Sequence, residues 1–291
     1  MNFKITHILT PVDFSETSMQ ALDHAIFMAK IFKAKLSLIH VMEPLRYADE
    51  FTGMAMLDTT IDKAIAKKFD ELANLVHLNH GILKPATILE EGNISDTIVE
   101  TAENIKADII VMGTHGTSGW AEFFIGSNTY KVVTQSSCPV LSVQQHAPKN
   151  GFRKIVLPID DSIPSRQKVA HAVEFAKHYG AIIHVVGLIT VDEPEMHKKF
   201  DIMMNQVNEY LKKNDVPFEN KILVGSNIAK MAMKYASDVE ADLIMIMTEQ
   251  EESVTGFIVG PYAQQVVNHS PIPVLSITPQ ETYITEMVHP Y

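Results

Sequence analysis

The sequence holds one cysteine, Cys138, in 291 residues. A disulfide framework within the chain is therefore excluded, and a reducing compartment is expected. Pro139 and the apolar run Val140-Leu141-Ser142-Val143 follow Cys138, with no base or cation close in sequence. It reads as a buried structural thiol rather than a reactive one. Positive charge is also scarce: 24 Lys and Arg face 35 Asp and Glu, a net charge of −11. With no long basic cluster, a broad nucleic-acid surface is excluded. No uninterrupted apolar stretch is long enough to span a bilayer. The opening MNFKITHILT lacks the apolar core and cleavage site of a signal peptide. The expectation is a soluble, cytoplasmic protein with neither membrane nor nucleic-acid partners.

Chemical motifs are sparse too. No nucleophile elbow is present. His77 and His80 share a face of an expected helix, but spacing fixes no third ligand, so no metal site is assigned. The cofactor and catalytic signals must be sought elsewhere.

What the chain does have is a duplication. ILTPVDFS at 8–15 returns as IVLPIDDS at 155–162, placing Asp13 opposite Asp160 at an offset of 147. His24-Ala25 maps onto His171-Ala172 at the same offset; later, Ala107-Asp108 maps onto Ala241-Asp242 and Gly126 onto Gly260 at an offset of 134. The thirteen residues lost lie between the second strand and the third helix of the unit. PVLS at 139–142 recurs at 273–276. Two copies of this length are tandem domains, expected at 1–147 and 148–291, with Pro148-Lys149-Asn150-Gly151 as the linker. With apolar residues at 46%, each half can bury a core.

Within the first copy, strands are expected at 5–12, 35–42, 85–90, 108–112 and 139–143. Helices are expected at Glu16–Phe32 behind an N-cap at Ser15, near 59–79, near 94–105, and after Gly126. This alternation implies an α/β fold: a doubly wound, five-stranded parallel sheet in each half, helices on both faces. The tail from Thr278 to Tyr291 has weak periodicity and is expected as coil or a packed arm. The two PVLS strands, each at the end of a unit with an unpaired edge, are expected to join the halves as a pseudo-dimer.

One loop carries most of the functional information. After Ile109-Ile110-Val111-Met112 come Gly113-Thr114-His115-Gly116, then Gly126-Ser127-Asn128 and a helix-like segment. Glycines let backbone N–H groups approach a ligand closely, and a helix start offers unpaired N–H groups and partial positive charge. Between a strand end and a helix start, these parts suit phosphate. The pattern is not a Walker loop, since no Gly-Lys-Ser/Thr follows, nor the Rossmann fingerprint.

The spacing (glycine, two residues, glycine, nine residues, glycine, serine) resembles that of nucleotide-binding universal stress proteins, and the resemblance runs through both halves. It implies two tandem adenine nucleotide alpha hydrolase-like domains and a stress-response regulator binding ATP or AMP, with Mg²⁺ as a possible companion. By position it assigns Pro11, Val12 and Asp13 after the first strand to the ribose or base side. Val41 falls to adenine, and Gly113, Gly116, Gly126, Ser127 and Asn128 to ribose and phosphates; Met112 ends the strand that leads into this loop, and His115, between the first two glycines, either touches phosphate or is an exposed loop residue. Asp13 can accept a ribose diol or simply cap a turn, and Ser127 can cap its helix while donating to an anion. Asn128 departs from the small apolar residue often found there. Trp120 reads as a packing anchor.

The second copy reads as degenerate. Thr248-Glu249-Gln250-Glu251-Glu252 replaces the early glycines, and Pro261 follows Gly260 where the first copy has Ser127. Like charge and a lost donor both oppose phosphate. The expected function is nucleotide-biased regulation through the first half. The alternatives are slow ATP hydrolysis at the same site, with His115 as base, or a non-nucleotide scaffold or small apolar ligand binder acting through the second domain. A homodimer or an unknown protein partner is compatible with each.

Overall fold

The computed structural model describes residues 3–43, 54–114, 125–145, 147, 151–162, 164–248, 250–253 and 256–279, with side chains described from 62 onward in the second helix and not described in 250–259. The first half runs β1 (His7–Pro11), α1 (Glu16–Phe32), β2 (Lys35–Met42), α2 (Met54–His80), β3 (Ala86–Glu91), α3 (Ile94–Asn104), β4 (Ile109–Gly113), α4 (Ser127–Gln135) and β5 (Val140–Val143). The second runs β6 (Lys154–Ile159), a short 3-10 turn (Pro164–Arg166), α5 (Val169–Tyr179), β7 (Ile182–Ile189), α6 (Pro194–Lys213), β8 (Phe218–Val224), α7 (Ile228–Asp238) and β9 (Leu243–Met247). It continues with β10 (Gln250–Ser253), β11 (Gly256–Val259), α8 (Pro261–His269) and β12 (Val274–Ile277).

Ten strands form one sheet in the order β3-β2-β1-β4-β5-β12-β9-β6-β7-β8. Within each half every pairing of this sheet is parallel; the central β5–β12 pair is antiparallel, with Leu141 opposite Leu275. The two PVLS segments thus meet as expected, and Ser142 Oγ donates to Val274 O across the join at 3.2 Å. Each half is a doubly wound five-stranded sheet, and the join removes what would otherwise be two apolar edges. The expected linker residues 148–150, and the tail beyond 279, lie outside the described residues.

Helices cover both faces, so β4 and β9 are buried at every position. One face packs against α1, α2, α5 and α6, around Phe69, Phe152 and Phe175. The other packs against α3, α4, α7 and α8, around Ile98, Val132 and Val266. Ser15 caps α1 as expected, its side chain accepting from Ser18 N, and Asn93 caps α3 likewise. The repeated Ala-Asp pair has a structural task. Asp108 Oδ2 accepts from the N–H groups of Thr6 and His7, and Asp242 Oδ2 accepts from those of Arg153 and Lys154. Each carboxylate staples the start of its half's first strand to the fourth.

The halves also exchange aromatic contacts across the pseudo-dimer. Phe152 stacks on His24 at 5.8 Å, and Phe3 packs on His171 at 4.1 Å. Burial lowers the His171 pKa from 6.5 to about 4. The folded protein therefore favours neutral His171. Its contribution is complete above pH 6.5 and is lost as pH falls toward 4, about 3 kcal/mol in all. Urea midpoints taken from pH 7.5 down to 4.5 should fall in the wild type, and His171→Phe should remove this component while keeping a ring against Phe3. An unchanged pH slope in that variant would refute the assignment.

Cys138 is half-buried, with Sγ 3.5 Å from Ser136 Oγ, and burial raises its thiol pKa. That is a structural setting. His77 Nδ1 donates to Ile82 O at 2.6 Å and so ends α2. Among the described residues, no three potential metal ligands cluster.

Candidate functional site

In a doubly wound sheet the strand order reverses beside the first strand, and the crevice opens beyond the carboxyl ends there. In the first half that point lies between β1 and β4. The structure has an open cleft at this place, with a cavity volume of about 110 Å³. Pro11, Val12 and Asp13 come from the end of β1, Ile39 to Val41 from β2, and Met112 and Gly113 from β4. Ile94 and Ile98 of α3 form an apolar wall, while Ser18 of α1 and Asn128 and Thr129 of α4 close the polar side. These described walls carry one carboxylate, Asp13, one imidazole, His40, and no lysine or arginine.

Of the residues expected from sequence, seven line the cleft: Pro11, Val12, Asp13, Val41, Met112, Gly113 and Asn128. Gly126 and Ser127 stand at the start of α4 rather than on the wall. His115, Gly116 and Trp120 lie outside the described residues. Ile39, His40, Ile94, Ile98, Ser18 and Thr129 join the cleft without having been singled out as contacts. The two α3 isoleucines could have been found from the topology, because the crossover after β3 must return across the face next to β1.

One expected role needs correcting. Ser127 does not cap α4; it is exposed and is the first helical residue, and Gly126 is the N-cap, with φ −62° and ψ 148°. A glycine cap supplies no side-chain oxygen, so it leaves the helix's first N–H groups uncapped, unlike those of α1 and α3. The helix start is held in place by backbone and by one hydroxyl. Gly126 N donates to Thr114 O at 2.7 Å, and Thr129 Oγ1 donates to Gly113 O at 2.8 Å.

Asp13 has a structural task besides facing the cleft. Its Oδ1 accepts from Ser15 N at 2.9 Å and from Ser15 Oγ. Asp160 Oδ1 accepts from Ser162 N at 2.9 Å in the same way. The shared aspartate is thus a turn former in both halves.

Gly113 is needed for packing as well as for access. A Cβ there would sit 2.8 Å from the backbone oxygen of Thr17, where α1 crosses the end of β4. Backbone cannot swing aside as a side chain can. Gly113→Ala should therefore destabilise the chain by about 1–3 kcal/mol. A denaturant midpoint equal to wild type would refute this.

The corresponding region of the second half is built differently. The segment after β9 folds back as the antiparallel hairpin β10–β11, pairing Gln250 with Val259 and Ser253 with Gly256. The sequence suggests only a loop here; the short apolar, partly β-branched run Phe257-Ile258-Val259 after Gly256 makes the hairpin intelligible afterwards. Gly260 remains the N-cap of the following helix, but Pro261 occupies its first position and carries no N–H.

Comparisons with known proteins identify the family and the fold. The profile of the Universal stress protein family matches residues 4–144 and again 151–277. The chain belongs to that family and carries two copies of its domain. It is 33% identical over 142 residues to Universal stress protein MJ0531 of Methanocaldococcus jannaschii, covering 47% of this chain and 81% of the relative. It is 31% identical over 147 residues to Universal stress protein A homolog 1 of Coxiella burnetii, covering 49% of this chain and 97% of the relative. A solved universal stress protein from Archaeoglobus fulgidus superimposes with a TM-score of 0.73 over 94% of this chain and 98% of its own, at 19% identity. That likeness extends the fold match across both halves. No described helix is long and apolar enough to cross a membrane.

Proposed function

We propose that this protein is a stress-response regulator that binds ATP or AMP in the first-half cleft and that the second half holds no nucleotide triphosphate. The observation that carries the reading is the meeting of Asp13, Val41, Gly113 and Asn128 around one cleft beside a helix start with a glycine cap. A flat apolar base fits between the β2 end and the α3 isoleucines. The ribose hydroxyls reach Asp13, and the phosphates extend toward the N–H groups of Ser127 and Asn128. Backbone donors at the start of α4 would hold the anion, with Mg²⁺ as an optional companion to a triphosphate. Ligand binding would act by favouring one conformation or partner. The domain limits at 1–147 and 148–291, a cytoplasmic location, and a homodimer or protein partner belong to the same reading.

Slow ATP hydrolysis is the weaker reading. The described walls offer Asp13 and His40 as bases, and Asp13 already accepts two hydrogen bonds from Ser15. The decisive experiment is extraction of nucleotide from purified full-length protein, identified by mass, followed by calorimetric titration with ATP and AMP. Co-purified or titrated adenine nucleotide supports the regulator. Phosphate release that depends on His115 moves the assignment to the hydrolase. A cleft that takes neither nucleotide leaves the scaffold.

A further inference from the structure

Phe14 is an aromatic residue in the left-handed backbone region, at φ 63°, directly after Asp13. Such a conformation is costly for a bulky side chain and persists only where its surroundings hold it. Three groups do so. Phe69 of α2 meets the Phe14 ring edge-on at 6.0 Å, His40 of β2 lies 5.9 Å away, and Lys68 of α2 places Nζ 4.0 Å from the ring centroid. His40 also donates from Nδ1 to Val12 O at 2.7 Å, so it grips the residue on the other side of Asp13.

The same grip recurs in the second half with different chemistry. Lys67-Lys68-Phe69-Asp70 on α2 reappears as Lys198-Lys199-Phe200-Asp201 on α6, at an offset of 131. Lys199 Nζ reaches Asp161 O at 3.3 Å and Asp161 Oδ2 at 3.5 Å, and Asp161 is the residue aligned with Phe14. Phe200 fills the place beside Gly187, the residue aligned with His40; a Cβ on Gly187 would stand 3.1 Å from Phe200 Cδ1. Each crossover helix thus brings a lysine onto the turn that carries its half's aspartate, with the following phenylalanine packed on the turn itself in the first half and beside Gly187 in the second. Asp161 does not share the left-handed conformation of Phe14.

We infer that Lys68 is a positioning residue for the first-half site: with Phe69 and His40 it holds Phe14 in its left-handed turn, and this turn presents Asp13 to the cleft. The inference rests on the nucleotide reading of that cleft. Lys68 acts through the Phe14 ring and not through the ligand. The α2 helix therefore sets the affinity of a site to whose described walls it contributes no residue.

The test is a double-mutant cycle on the full chain, read by ATP titration and by hydrogen exchange of the Ser15 amide without ligand. Lys68→Met keeps the aliphatic stem and removes the cation; Lys68→Arg keeps the cation over the ring. Phe14→Gly tolerates the left-handed turn without strain and deletes the ring. Lys68→Met should weaken ATP about two- to fivefold, in line with an exposed lysine over a half-buried ring, and should speed Ser15 exchange by a similar factor. Lys68→Arg should restore both. In the Phe14→Gly background, Lys68→Met should have no further effect.

If Lys68→Met weakens ATP equally with and without the ring, the lysine attracts the anion directly and the inference fails. Unchanged binding and exchange in Lys68→Met overturn it as well. If the wild-type chain binds no ATP, the functional reading fails instead. The positioning role is then decided by Ser15 exchange, where faster exchange in Lys68→Met and recovery in Lys68→Arg uphold it and an unchanged rate ends it.

Discussion

Replacing Gly126 with aspartate should abolish ATP binding while leaving the fold as stable as before or slightly more so. The two effects have opposite signs for one reason. Gly126 is the N-cap of α4 and contributes no side-chain hydrogen bond. Its backbone angles, φ −62° and ψ 148°, are open to any residue. An aspartate there would offer its carboxylate to the helix's own first N–H groups, a favourable cap that also complements the helix dipole. Those are the groups a phosphate would use. The carboxylate would occupy them and repel the anion. Loss of two charge-assisted hydrogen bonds, about 1.5 kcal/mol or more each, corresponds to at least about 100-fold in affinity. Calorimetry with ATP and a denaturant midpoint on the same sample make the check. Affinity retained in a stably folded Gly126→Asp chain would remove phosphate from the start of α4.

Much of this architecture can be read in the chain before its structure. The period of the apolar residues sets strands and helices, and the duplicated PVLS ends mark the join, because an apolar edge strand must be covered. Helix α1 begins where Ser15 can cap it and ends at Phe32. What could not be read depends on contacts distant in sequence. The left-handed turn at Phe14 is one such case. Nothing local requires it, and its cost is met by Phe69, His40 and Lys68 from two other elements. The cap of α4 is another, since either Gly126 or Ser127 suits the position by type; the choice falls to where Gly126 N finds Thr114 O.

The KKFD repeat shows why one offset hid another. Counting from Asp13 to Asp160 and from Asp108 to Asp242 gives 147 and 134, hence a single thirteen-residue loss. The structure places an offset of 131 between them, at Lys68 and Lys199. The shortening is thus larger before this motif and partly returned after it. Helix α2 has 27 residues and α6 has 20, so helix length, unlike the lysine's grip on the turn, was free to change.

The two halves should also bind unequally: titration of ATP into the intact chain is expected to saturate near one equivalent, all of it in the first half. Asp13 and Asp160 provide an internal control. Both accept a backbone N–H two residues on, at 2.9 Å in each half. Conversion of either to asparagine retains an oxygen for that turn, so the two variants should lose similar, small amounts of stability. Their effects on ligand should differ. At Asp13 the second acceptor for a ribose diol disappears, and the loss of one hydrogen bond to a charged group weakens ATP about tenfold. At Asp160 the nearby helix begins with Pro261 and has one fewer donor, and the hairpin β10–β11 follows β9. Asp160→Asn should therefore change ATP affinity by less than about twofold, a difference typical of a substitution away from the ligand. Measuring both variants by calorimetry separates a turn former from a ligand contact, because only the second shifts affinity beyond the shared stability change. Two equivalents of ATP would give the second half a working site of its own, and sensitivity confined to Asp160 would move the site there.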